Sequence, residues 1–127
     1  MTETVMDSSA VLASIHGEPG AEIVGGALEG SVISAINFAE VISKLISRGL
    51  PEAQAVNAAR RVGTEIVEVD EEQAVTAGIT HAKTRRSGIA MADAFCLALA
   101  RQRSAPALTA DRAWKALDLG VEVTLIR

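Results

Sequence analysis

The stretch that decides the fold class is Thr4-Val5-Met6-Asp7-Ser8-Ser9, where an apolar strand-like run passes directly into a helix-like run. The residues up to Met6 form a short strand candidate, and we expect Ser8-Ser9 to cap a helix over Ala10 to Ile15. Further strand candidates at 31–34, 65–69, 107–109 and 121–125 alternate with helical runs and are mostly too far apart for hairpins. The pattern predicts an α/β fold, a three-layer α/β/α sandwich with a mainly parallel sheet of about five strands.

The composition predicts a single domain over residues 1–127. Of the 127 residues, 49% are hydrophobic, which is enough for a packed core. The lone cysteine, Cys96, lies in an apolar helical run and is expected to be a core thiol. No apolar run approaches the roughly 20 residues of a membrane span, and the N-terminus lacks the features of a secretory signal. We therefore expect a cytoplasmic protein with no membrane association.

The charge balance argues against a simple nucleic-acid-binding domain. Twelve basic residues face sixteen acidic ones, for a net charge of −4, whereas nucleic-acid binders are usually basic. A bound divalent cation would neutralise part of this charge, so a nucleic-acid substrate is still compatible with it. The three aromatic residues, Phe38, Phe95 and Trp114, are too few for base stacking to dominate affinity.

Four acidic residues carry the strongest functional signal: Asp7, Glu40, Asp93 and Asp111 each lie where a strand-like run meets a helix-like run. In open parallel sheets, ligands bind outside the carboxyl ends of the strands, so these residues are expected to converge. A cluster of carboxylates without cysteine or histidine partners suits a hard cation such as Mg²⁺ or Mn²⁺. The spacing predicts metal-dependent phosphate chemistry.

Each acid also has a simpler structural explanation. Asp7 and Asp111 could cap the helices that follow them, and Asp93 could interact with the dipole of its own helix. Glu40 lies opposite the expected apolar face of its helix and precedes Lys44 by four residues, so it could be a solvated charge. That expected face comprises Ala35, Phe38, Ala39, Ile42, Leu45 and Ile46. The joint placement of the four acids, rather than any one of them, favours a shared site.

Four segments, taken in order, resemble the PIN-domain ribonucleases, and more narrowly the VapC-type toxins of bacterial toxin–antitoxin pairs. They are Val5-Met6-Asp7-Ser8-Ser9-Ala10, Ser34-Ala35-Ile36-Asn37-Phe38-Ala39-Glu40-Val41, Ala92-Asp93-Ala94-Phe95-Cys96-Leu97-Ala98-Leu99-Ala100 and Leu108-Thr109-Ala110-Asp111-Arg112-Ala113-Trp114. The resemblance implies that the four acids bind one or two Mg²⁺ or Mn²⁺ ions, and that the polar side chains of Ser9, Asn37 and Thr109 support them. It also implies a cognate antitoxin and a homodimer. Many relatives carry Asn-x-x-Asp-Phe near the fourth acid, whereas here Asp111 is followed by Trp114.

The expected function is a Mg²⁺- or Mn²⁺-dependent endoribonuclease that cleaves RNA with a metal-activated water and acts as a toxin. Arg112, Arg85 and Arg86 are the candidates for holding the RNA backbone, although solvated surface charge is a common role for such residues. The alternatives are a catalytically inactive PIN-like binding module or another metal-dependent phosphohydrolase. An aspartyl phosphatase usually has a second Asp two residues after the first, where this chain has Ser9. A phospho-acceptor signalling domain needs an acidic pair that Asp7 lacks.

Overall fold

The computed structural model describes residues 3–127, which fold into five β-strands and six α-helices. The strands are β1 (Thr4–Met6), β2 (Ser31–Ser34), β3 (Glu65–Val67), β4 (Ala107–Thr109) and β5 (Val123–Leu125). The helices are α1 (Ser8–His16), α2 (Ala21–Ala27), α3 (Ala35–Ser47), α4 (Glu52–Arg61), α5 (Glu71–Thr84) and α6 (Met91–Arg103). Two short 3₁₀ turns cover Arg85–Ser87 and Arg112–Ala116. Within the described part of the chain, no helix is long and apolar enough to span a membrane.

The sheet has the order β3-β2-β1-β4-β5, and every neighbouring pair of strands is parallel. The central strand β1 pairs with β2 through Thr4 and Ser31 and with β4 through Val5 and Ala107. Because all strands run in one direction, the carboxyl ends of β1, β2 and β4 lie side by side at one edge. The expectation of a parallel sheet of about five strands is confirmed.

Alternate residues of the central strands enter two separate cores. Val5, Val32 and Ala107 belong to a core shared with α5 and α6, for example through Ala77 and Leu97. The adjacent residues point to the opposite face, where the second core is shared with α1 to α4 and contains Met6, Ile33, Leu108, Leu12, Val24, Val41 and Ala55. Strands buried on both faces need apolar side chains at successive positions, as the short Val-, Ile- and Leu-containing strands provide. The three-layer α/β/α sandwich is therefore confirmed.

Two local expectations about helices are wrong. Ser8 and Ser9 do not cap α1 from outside but form its first turn, and Asp7 takes the N-cap position. On α3, the fully buried residues are Asn37, Val41 and Leu45, so only Leu45 of the expected apolar face is fully buried, while Ala39 and Ile46 are exposed. Helix α3 packs against α1 and α4 on one side and α6 on another, so burial follows these contacts and not the direction of greatest hydrophobicity.

The remaining differences concern the ends of elements. β3 ends at Val67 rather than 69, β5 begins at Val123, and the short helix after Asp111 is a 3₁₀ turn that ends at Ala116. Differences of one or two residues are ordinary, because terminal hydrogen bonds are incomplete. None of these shifts moves a candidate site residue away from the carboxyl edge.

Candidate active site

Asp7 lies directly after β1 at the centre of the carboxyl edge and is almost fully buried. Its carboxylate oxygen Oδ2 accepts hydrogen bonds from Ser9 Oγ at 2.6 Å and from Thr109 Oγ1 at 2.8 Å. Its other oxygen, Oδ1, is buried and has no hydrogen-bond partner among the described residues. Although Asp7 occupies the N-cap position of α1, its side chain makes no capping bond. Helix capping therefore does not account for this carboxylate.

The hydroxyls of Ser9 and Thr109 form a clamp on Asp7. Each hydroxyl also accepts a backbone N–H, from Ala110 at 2.9 Å for Ser9 and from Asp111 at 3.0 Å for Thr109. The two hydroxyl oxygens lie 3.2 Å apart. Because each hydroxyl has a single hydrogen, which points to Asp7, the clamp fixes one carboxylate oxygen and joins β1 to the turn after β4.

Asp93 lies in the first turn of α6, where its Oδ2 accepts the N–H of Ala90 at 2.9 Å. Burial raises the pKa of the Asp93 carboxyl from 3.8 to about 6, against the lowering effect of the Ala90 N–H. The charges of Asp7, Glu40 and Asp111 raise this pKa further. The pKa of Asp7 is also raised, first by burial and to a smaller extent by Glu40, while the two hydroxyls oppose the shift. The charges of the other three acids therefore all act on Asp93.

Glu40 reaches this group from α3. Its Oε2 lies 3.6 Å from Lys44 Nζ, as expected for a pair four residues apart, but its Oε1 is buried and unpartnered among the described residues. One turn earlier on α3, the buried Asn37 donates from Nδ2 to the carbonyl oxygen of Ala92 at 2.9 Å. This bond connects α3 to α6 immediately before Asp93. Asn37 thus sets the relative position of the second and third acids.

Asp111 differs from the other acids because it is exposed and serves as a cap. Its Oδ1 accepts the N–H of Ala113 at 3.0 Å and so caps the Arg112–Ala116 turn. Helix capping, the simpler explanation for Asp111, thus accounts for its contact in this structure. Its charge still acts on Asp93.

The three candidate arginines lie outside the buried acid group. Arg112 is exposed, begins the 3₁₀ turn after Asp111, and donates from Nε to the carbonyl oxygen of Arg127 at 3.3 Å. Arg85 and Arg86 are exposed in the 3₁₀ turn that precedes α6. Both locations adjoin elements that carry an acid. Arg112 follows Asp111 directly, and the turn that contains Arg85 and Arg86 leads into α6, whose first turn carries Asp93.

The carboxylates suit a hard cation chemically but are not gathered into a closed set of ligands. Among residues 3–127, no three Asp, Glu, His or Cys side chains are arranged around a common point for a metal ion. Asp93 and Asp111 are held by backbone N–H groups and Glu40 by Lys44, and mutual repulsion opposes closer approach. The buried, unpartnered oxygens Asp7 Oδ1 and Glu40 Oε1 are costly unless a cation or donor meets them. An all-oxygen donor set with two such atoms fits Mg²⁺ or Mn²⁺.

Sequence reasoning missed a buried polar pair near this edge. Ser34, the last residue of β2, donates from Oγ to Gln73 Oε1 on α5 at 2.6 Å, and both side chains are fully buried. Gln73 lies one turn before the buried Ala77, a position where a core helix usually carries an apolar residue. The signal available in the sequence was therefore a polar residue, Gln73, on the face of α5 that also carries Ala77.

A second missed feature is an open groove of about 600 Å³ between α1 and α4, away from the acids. Its floor is apolar and its α4 wall carries Gln54, Asn57 and Arg61. The apolar lining is formed by Ile15, Leu28, Leu50, Ala58 and Val62.

Comparison with known proteins places this arrangement in a family. The family model described as the PIN domain matches residues 4–119. DNA-bound VapBC from Salmonella typhimurium is similar in structure, with a TM-score of 0.77 and 16% identity over 100% of both chains. VapBC-1 from nontypeable Haemophilus influenzae has a TM-score of 0.74 and 16% identity over 98% of both chains.

FitAcB from Neisseria gonorrhoeae has a TM-score of 0.68 and 23% identity over 97% of both chains. No curated protein matches the chain in sequence. At these identities the solved structures establish a shared fold, and the family model covers most of the sequence. The chain therefore belongs to the PIN domain family.

Proposed function

We propose that this protein is a Mg²⁺- or Mn²⁺-dependent endoribonuclease that acts as the toxin of a toxin–antitoxin pair. The observation that carries the proposal is the state of Asp7: one oxygen is fixed by two hydroxyls, and the other is buried without a partner. Membership of the PIN family and the electrostatic coupling of Asp93 to the other three acids support it. The similarity in fold to VapBC proteins supports the toxin role.

In this proposal, Asp7, Glu40, Asp93 and Asp111 hold the metal. Mg²⁺ held by these residues would supply Lewis acidity for activating a water and for stabilising charge on the leaving oxygen of the RNA phosphate. Ser9 and Thr109 keep Asp7 oriented, because their hydrogens are directed to Oδ2 and leave Oδ1 facing away from them. Asn37 keeps Glu40 in register with Asp93.

In this proposal, the exposed arginines beside the acidic edge bind the phosphates of the RNA backbone. Arg112, Arg85 and Arg86 offer positive charge at two turns that adjoin acid-bearing elements. Contacts to phosphate are largely independent of sequence, so these residues would contribute affinity more than selectivity.

The cognate antitoxin is assigned to the groove between α1 and α4. Its apolar floor, with Gln54, Asn57 and Arg61 spaced along one wall of α4, suits the apolar face of an amphipathic helix with acidic flanking residues. A synthetic acidic amphipathic helix should bind the wild type and lose affinity with Arg61→Glu, whereas Arg48→Glu, an exposed charge outside the groove, serves as the matched control. Equal affinity in both variants would contradict this assignment.

Homodimerisation also belongs to the proposal. Exposed apolar side chains on two helices, Ile36 and Ile46 on α3 and Val75 and Ile79 on α5, provide surface for it. A stable dimer interface usually buries more than about 1,000 Å² in total.

The nuclease assignment is tested with Asp7→Asn, which preserves the shape of the side chain and removes its charge. RNA cleavage in Mg²⁺ should be lost, and EDTA should abolish it in the wild type. Asp118→Asn removes an equal charge from an exposed position and should retain activity. Full cleavage by folded Asp7→Asn protein, or RNA binding by the wild type without any cleavage, would overturn the assignment. The second result is the one expected of an inactive binding module.

A further inference from the structure

The Ser34–Gln73 pair connects the start of α3 to the start of α5. Ser34 Oγ donates to Gln73 Oε1 at 2.6 Å and accepts the N–H of Ile36 at 3.3 Å, so the same hydroxyl caps α3. Gln73 is held in turn by its own backbone N–H, which donates to Asp70 Oδ1 at 2.7 Å. Its Nε2 donates to the carbonyl oxygen of Glu68 at 3.4 Å. We call this set of contacts the Ser34–Gln73 bridge.

A bridge of this kind is an unusual choice for a helix core position. Gln73 lies in line with Ala77, and both are fully buried. An apolar side chain there would avoid the cost of burying an amide, which has to be offset by well-formed hydrogen bonds. Buried polar contacts of this type can specify one arrangement of neighbouring elements more strictly than apolar packing does.

The arrangement specified here involves the helix that carries Glu40. Glu40 follows Ser34 by six residues, or about 9 Å along a helix that rises about 1.5 Å per residue. A tilt of about 5° at the first turn would move Glu40 by about 0.8 Å, whereas a functional site needs to be held within about 0.5 Å. The Asn37–Ala92 bond fixes α3 to α6, and the bridge fixes it to α5.

We infer that Gln73 is a positioning residue of the acid site, which acts through Ser34 and α3 to hold Glu40 in place for divalent-cation binding. This inference rests on the proposed function, because it assigns a role in that same site. Gln73 itself contacts neither the cation nor the substrate.

The test is a double-mutant cycle that uses Mn²⁺ alone as the probe. Gln73→Met keeps the length of the side chain and removes its hydrogen bonds, so Mn²⁺ affinity, measured by electron paramagnetic resonance, should fall about three- to tenfold. This loss is smaller than the roughly 10- to 100-fold loss that follows removal of a group in direct contact with a ligand. In a Glu40→Gln background, Gln73→Met should cause no further loss of Mn²⁺ affinity, because the carboxylate that Gln73 positions is already absent.

Ala77→Gly is the matched control, since it weakens the same buried face of α5 without touching the bridge. It should lower stability and leave Mn²⁺ affinity unchanged. An equal loss of affinity in Ala77→Gly, or additive effects of Gln73→Met and Glu40→Gln, would reduce the bridge to a general packing role. If Gln73→Met does not fold, Gln73→Leu removes the same hydrogen bonds, leaves the Ser34 cap of α3 in place and decides the same question. Wild-type protein that binds no Mn²⁺ would overturn the proposed function and this inference together, whereas wild-type binding with an additive cycle would overturn this inference only.

Discussion

Replacing Asp93 with asparagine should stabilise the metal-free protein while it abolishes RNA cleavage. Burial and the charges of Asp7, Glu40 and Asp111 disfavour the ionised form of Asp93 and raise its pKa to about 6. Asparagine has the same shape and can still accept the N–H of Ala90 through its amide oxygen. The substitution therefore removes an unfavourable charge and keeps the local hydrogen bond.

The size of the effect follows from the pKa of Asp93. A rise from 3.8 to about 6 corresponds to about 3 kcal/mol at ~1.4 kcal/mol per pKa unit. Because Asp93 is only half-buried, solvent screening reduces this to about 1 to 1.5 kcal/mol. The folded state binds the proton of Asp93 more tightly than the unfolded state, so the contribution of Asp93 to stability falls as pH rises from 3.8 to about 6 and then levels off. The advantage of Asp93→Asn should be absent near pH 4 and complete by pH 7 to 8.

Urea unfolding with EDTA across this pH range provides the measurement. With Mg²⁺ at about ten times its Kd, the wild type should gain about 1.4 kcal/mol by linkage, and Asp93→Asn should gain much less. Asp118→Asn makes the same change in net charge at an exposed position and serves as the control. A variant less stable than wild type at pH 8, or a gain of the same size at pH 4, would refute the electrostatic reasoning.

Three further outcomes are expected. Thr109→Val removes a donor to Asp7 and should raise the pKa of Asp7 further, as read from carboxyl ¹³C shifts of metal-free protein; an unchanged titration would mean that the hydroxyl has no role in the clamp. Arg112→Ala, in a cleavage-dead Asp93→Asn background, should weaken RNA binding about equally across sequences and reduce the slope of log affinity against log salt concentration by roughly one unit. If the plots of the two proteins coincide, Arg112 is only a surface charge bonded to Arg127. Light scattering at tens of micromolar should report about twice the chain mass of 13.2 kDa, and a species of the chain mass alone would count against a homodimer.

The sequence was sufficient for the fold class and for the convergence of the acids. Short apolar strands separated by helices leave few arrangements other than a parallel sheet covered on both faces, because such strands are too far apart for hairpins. Once the strands are parallel, residues that follow them must meet at one edge. Asp7 follows β1 and Asp111 follows β4, and Asp93 reaches the edge because α6 runs back towards the start of β4. These conclusions depend only on order along the chain and on strand direction.

Tertiary structure alone decided how the side chains are held. Thr109 donates to Asp7 across a separation of 102 residues. The family resemblance named Ser9 and Thr109 as supporting side chains, but only the folded chain shows that both hydroxyls donate to the same oxygen of Asp7. The buried face of α3 was misjudged because contacts on several sides, rather than hydrophobicity, determine which residues are covered. Gln73 is a polar residue on the same stripe of α5 as Ala77, and its role becomes clear only when its amide is found buried against Ser34. Pairing between distant polar groups depends on distances of a few tenths of an ångström, which only the packing of the helices on the sheet determines.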